Sequence, residues 1–172
     1  MRAWLALLIV PLAAAAQTPG TDGDYGSRDR PGEAKVALPE YPRPENYLPF
    51  EVSAVTPFAF FVDSKSISVG PGAVLRYTLI AKSADGALNI SYESMRCTDG
   101  NFRVYAYGSV GDSWFEVRNS KWELIRSDRR NPQRAVLFND YFCPLTGYVS
   151  NAADAVRVLK SGGSPRGAIG GN

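Results

Sequence analysis

The chain has 172 residues, 45% of them hydrophobic and 21% charged, which suits one core-forming domain and is too short for two. Nineteen basic against seventeen acidic residues leave a net charge of +2, which excludes the basic footprint of a nucleic-acid binder, and no polybasic run suits an anionic membrane surface. There is no histidine, so Ser-His-Asp and Cys-His catalysis, His-x-Glu deaminase sites and the His-Glu-x-x-His zinc motif are all excluded, while chemistry by carboxylates alone is not.

Residues 1–16 read as a cleavable signal peptide. Arg2 precedes an apolar run from Ala3 to Leu12, and Ala14, Ala15 and Ala16 supply small residues for cleavage before Gln17. The run falls short of the ~20 apolar residues that span a bilayer. No cysteine lies near the cleavage site to carry a lipid. Residues 17–49 are rich in Gly, Pro and charge and read as a linker, disordered at first and extended in its Pro-spaced second half.

A single β-rich domain is expected over residues 50–160, with a flexible tail over 161–172. Val52–Val62 is apolar and aromatic but interrupted by Pro57, which suggests an edge strand or a bend. Ser66–Val69 reads as a short strand ending at the turn Gly70-Pro71-Gly72. Ala73–Lys82 alternates, with Leu75, Tyr77 and Leu79 on one face. Asp85-Gly86 turns the chain into Leu88–Arg96, where Leu88, Ile90 and Tyr92 oppose Asn89, Ser91 and Glu93. Asp99-Gly100 leads to Phe102–Val110, with Phe102, Val104 and Ala106 inward and Arg103, Tyr105 and Tyr107 outward. Trp114–Ile125 completes an antiparallel meander with one buried face.

The period then changes. Asn131-Pro132 resembles a helix start, and a helix to about Phe142 would turn Phe138, Tyr141, Phe142 and then Leu145 towards the sheet, although Ala135–Phe138 also suits a strand. Asn151 is a stronger N-cap, and Ala152, Ala155, Val156 and Leu159 follow on one helical face before Gly162-Gly163. The expected fold class is therefore α+β: an antiparallel meander sheet with one or two C-terminal helices packed on it.

Cys97 and Cys143 are the only cysteines. In an oxidising compartment an even count reads as a disulfide, here pinning the first helix to the sheet; two unrelated buried thiols are the alternative. Two thiols without His or a Cys-x-x-Cys pair do not make a metal site, and no cofactor motif is present.

The segments 60–70, 74–79 and 86–97, together with Val-Tyr-Ala-Tyr-Gly at 104–108 and Asp-Tyr-Phe-Cys at 140–143, resemble the cryptic neisserial protein family of bacterial envelope proteins. The resemblance covers nearly the whole domain and both cysteines. It implies a periplasmic domain that is not an enzyme, and it carries no catalytic residues over. Many members of that family look like lipoproteins, whereas this chain lacks the lipobox cysteine.

Two kinds of site are expected. Outward strand positions put Arg76, Glu93, Arg103, Tyr105, Tyr107 and Trp114, with Arg118 beyond, on one side of the sheet. These residue types are enriched in binding hot spots. They form either an open aromatic and arginine face for an envelope protein or glycan, or a core covered by the C-terminal helices. If the face is open, removing Tyr105 and Trp114 costs little stability. The alternative function is a carboxylate-based hydrolase of an envelope polymer, for which Glu93 and Glu116 sharing the outer face are the leading pair.

Overall fold

The computed structural model describes residues 36–53, 55–127, 132–145 and 147–163. The signal peptide, the first part of the linker and the end of the tail lie outside the described residues. A 3-10 turn at Pro44–Asn46 leads into seven strands: β1 (Tyr47–Phe50), β2 (Phe58–Gly70), β3 (Val74–Ser83), β4 (Leu88–Arg96), β5 (Asn101–Ser109), β6 (Ser113–Glu116) and β7 (Glu123–Leu124). They form one sheet in the order β1-β2-β3-β4-β5-β6, every neighbouring pair antiparallel, with β7 also paired to β5. Helix α1 (Pro132–Val136) continues as a π-helical stretch over Leu137–Phe142, and α2 (Ala152–Lys160) follows. The chain is thus an α+β meander with C-terminal helices.

Local chemistry accounts for the boundaries. Gly86 and Gly100 take φ of 90° and 66° at the hairpin turns, a region open to glycine without a steric penalty. The Asn151 side chain accepts a hydrogen bond from the Asp154 N–H at 2.9 Å and caps α2. At its far end the Gly163 N–H returns to the Val158 carbonyl at 3.0 Å. Strand β2 runs straight through the position expected to separate two strands. Extra residues between Asp63 and Ser68 bulge out, and the Ser66 hydroxyl fills the gap in the ladder by accepting from the Thr78 N–H at 2.8 Å. The expected single strand from Trp114 to Ile125 is instead two, β6 and β7. Between them the chain leaves the sheet around Asn119, whose φ is 54°, while the Ser120 hydroxyl bonds the Val104 carbonyl.

The helices cover one sheet face. Leu75, Tyr77 and Leu79 pack there with Leu137, Phe142, Val158 and Leu159, and the Cys97–Cys143 disulfide joins the end of β4 to the end of the π-helical stretch. Hydrogen bonding to the fifth residue along, from the Cys143 N–H to the Phe138 carbonyl at 2.8 Å, holds Tyr141 and Phe142 against the sheet. Leu145, expected to point the same way, is fully exposed beyond that turn.

The opposite face is also covered, which strand periodicity did not anticipate. Tyr92 is buried there beside Tyr105 and Trp114, at ring separations of 5.8 and 6.2 Å. Residues 36–46, expected to be linker, run over this cluster. Tyr41 packs on Trp114 at 5.3 Å, Pro42 is buried, and the Trp114 indole N–H donates to the Pro39 carbonyl at 3.0 Å. Gly108 makes room for this strap: a Cβ there would come within 2.7 Å of the Tyr41 hydroxyl and 2.9 Å of the Ile90 Cβ. The sheet itself begins at Tyr47, before the expected domain boundary.

Candidate functional site

Strand register decides which side chains share a face, because directly opposed residues in a ladder point the same way. Tyr77 faces the helices and lies opposite Glu93, so Asn89, Ser91 and Glu93 lie on the helix side rather than outside. Beyond β4 an irregularity intervenes: Glu93 pairs with Val104 but Tyr92 pairs with Ala106, which leaves Tyr105 as an extra residue. The bulge reverses the alternation of β5. Phe102, Val104 and Tyr107 share the helix side, whereas Arg103, Tyr105 and Ala106 share the strap side.

The sequence-derived set is therefore split. Arg76, Arg103, Tyr105 and Trp114 lie on the strap side; Glu93 and Tyr107 lie on the helix side; Arg118 is exposed in the loop after β6. On the strap side Trp114 and Tyr105 are half-buried by their neighbours, the Arg103 guanidinium lies 5.4 Å from the Tyr105 ring and donates to the Ser120 hydroxyl, and the Arg76 Nε is buried. This is a second, aromatic core under the strap, not an open surface. Glu93 and Glu116 do not share a face, since Glu116 pairs with Ala106 on the strap side. The pair singled out for hydrolase chemistry is thus divided by the sheet.

What the structure brings together is on the helix side. Glu93 is completely buried. Arg134 reaches it from α1 in a two-pronged ion pair, Nε donating to Oε2 at 2.8 Å and Nη2 to Oε1 at 2.6 Å. The Ser91 hydroxyl donates to Oε1 at 2.6 Å, and the Tyr77 hydroxyl approaches Oε2 at 3.5 Å. The guanidinium also lies over the Phe102 ring at 4.2 Å. Burial alone would pull the Arg134 guanidinium down, but the Glu93 carboxylate and its hydrogen bonds outweigh that and hold it well above its ordinary value. Burial, reinforced by Glu93, pushes the Tyr77 phenol well up, so it stays neutral. Both Glu93 oxygens are engaged, so this carboxylate positions Arg134.

Arg134 forms part of the wall of a cavity of about 330 Å³. Asn89, Ser91, Gln133 and Glu123 supply its other polar groups, and Phe102, Val104 and Tyr107 its apolar ones. Helix α2 packs on β1 and β2, and α1 meets this end of the sheet through Gln133 and Arg134. Tyr107 is 43% exposed, and Phe115, directly opposite it on β6, is 68% exposed. A larger recess of about 970 Å³ opens between the β1–β2 hairpin and the end of α2. Its walls are polar and apolar in about equal part, with Glu51, Asp140 and Lys160 beside Phe50, Phe58, Phe60 and Leu159, and none of the candidate binding-face residues read from sequence lines it. The smaller cavity is the better site because its polar groups converge.

Sequence reasoning missed Arg134, Gln133, Phe102 and Phe115. One signal was available for Arg134: a glutamate in the middle of a central strand needs a cation, and α1 carries Arg134 as its one charged residue. Among the described residues no group of acidic or thiol side chains is placed to hold a metal ion, and no helix is long and apolar enough to cross a membrane. No curated protein and no solved structure matches the chain. Residues 28–160, which include every described strand and helix and both cysteines, match the CNP1-like family, and the chain belongs to that family.

Proposed function

We propose that the protein is exported to the bacterial periplasm and acts there without catalysis, as an interaction module of the cell envelope. The observation that carries this reading is the uncovered end of the helix-side face, where exposed Tyr107 and Phe115 flank a polar cavity whose Arg134 is held in place by buried Glu93. Evolved soluble domains seldom leave paired aromatic rings in water, and such rings beside an ordered arginine resemble a contact surface. The Cys97–Cys143 disulfide supports an oxidising destination.

Two measurements test this. The mature protein recovered from the periplasm should begin at Gln17; a chain still starting at Met1 there would remove the export reading. Purified protein should co-sediment with isolated envelope particles, and Tyr107→Ala with Phe115→Ala should weaken that binding by about 30-fold, the scale of a hot-spot loss near 2 kcal/mol, at unchanged melting temperature. Undiminished binding by the double variant would reject the site.

A further inference from the structure

The chemistry of the cavity narrows what it can hold. At the cavity Ser91 and Tyr107 pair across the β4–β5 ladder and Asn89 pairs with Ala81 of β3, so recognition falls mainly to side chains. That disfavours an extended peptide, whose usual capture relies on main-chain pairing. The side chains present are of a particular kind. Asn89 and Gln133 each offer an amide that both donates and accepts, Ser91 and Tyr107 offer hydroxyls, and Glu123 accepts. A sugar ring needs this mixture, because each hydroxyl is at once donor and acceptor. Its C–H face is apolar and suits an exposed aromatic wall such as Tyr107 extended by Phe115.

Charge selects further. Arg134 is neutralised by Glu93, so it presents N–H groups without a net positive field. Glu123 adds a negative charge at the wall and makes no ion pair among the described residues. An anionic ligand would meet a net negative charge from the described lining residues. The cavity volume of about 330 Å³ lies at the small end of the range for ligand pockets, which suits one or two sugar rings rather than a folded surface. We propose that the cavity walled by Asn89, Ser91, Tyr107, Glu123, Gln133 and Arg134 binds an uncharged saccharide unit of an envelope glycan. This rests on the reading of the same face as the interaction site.

The test uses the mature full-length protein and envelope particles treated in two ways. Periodate, which cleaves vicinal diols in sugars, should abolish co-sedimentation, whereas protease treatment of the particles should leave it intact. On an oligosaccharide array, binding should be confined to uncharged members. Gln133→Ala and Tyr107→Ala should each weaken it about tenfold, the effect of losing one well-placed buried contact. Binding that survives periodate but not protease, or an array on which acidic oligosaccharides bind as well as uncharged ones, would overturn the saccharide assignment. If Tyr107→Ala and Phe115→Ala still reduced sedimentation in that case, the site would stand and only its ligand class would fall. If they did not, the interaction site itself would fall.

Discussion

Arg134→Met tests the centre of the site. Glu93 has no exposed surface and the Arg134 side chain is only 11% exposed, so the pair sits outside the range where solvent screening makes ion pairs nearly worthless. Removing the guanidinium takes away two charge-assisted hydrogen bonds and leaves a carboxylate with only the Ser91 and Tyr77 hydroxyls. Breaking a buried pair from one side costs about 3–5 kcal/mol, most of it the stranded charge. At ~4 °C per kcal/mol for a domain of this size, melting should fall by roughly 12–20 °C. The companion variant, Glu93→Leu with Arg134→Met, replaces both charges by apolar groups and should recover most of the loss, because it strands nothing. Urea unfolding followed by circular dichroism gives all three free energies, and the wild-type value should change little between low and high salt. A loss under about 1 kcal/mol in Arg134→Met, or a double variant less stable than the single one, would refute the claim that this pair holds α1 on the sheet.

Three further outcomes follow from the packing. Trp114→Ala should lower melting by roughly 8 °C, from ~2 kcal/mol of lost half-buried aromatic contact, yet leave envelope binding unchanged, whereas Tyr107→Ala should do the reverse; equal effects of the two on binding would return the site to the strap side. Thiol counting in denaturant without reductant should find no free thiol, and Cys97→Ser with Cys143→Ser should cost about 4 kcal/mol by the chain-entropy estimate for a loop of 46 residues; two reactive thiols in the untreated protein would contradict the bond. Burial pushes the Asp63 carboxyl up, against the opposing hydrogen bonds from the Lys65 N–H and from Ser66. The native state therefore takes up this proton before the unfolded chain does, and Asp63 adds stability as pH falls toward its unfolded value near ~3.9, stability that is lost again as pH rises through the folded value. Its side-chain carbon resonance should titrate above that value, and a midpoint below it would reverse the sign.

Much of the fold was legible locally. Asp85-Gly86 and Asp99-Gly100 marked real turns because glycine alone enters that backbone region freely, and Asn151 marked α2 because a helix start needs an acceptor for its unpaired N–H groups. The even cysteine count pointed to the bond that joins sheet and helix. The faces of the sheet were not legible. Alternation assumes an unbroken ladder, and one extra residue at Tyr105 moved Tyr107 to the side opposite Tyr105. Alternation also assumes that polar positions face water. Glu93, Ser91 and Asn89 lie on the helix side because β4 pairs with β3 in a register that puts Glu93 against Tyr77, and Arg134, 41 residues away, makes that burial tolerable. Nor did composition reveal that the Pro-rich stretch before Tyr47 would cover Tyr92 and Trp114. Sequence alone determined the turns, the caps and the covalent link, since each depends on a residue and its near neighbours. Tertiary structure alone decided which side chains meet, because strand register, a bulge and a distant arginine are settled only when the whole chain packs.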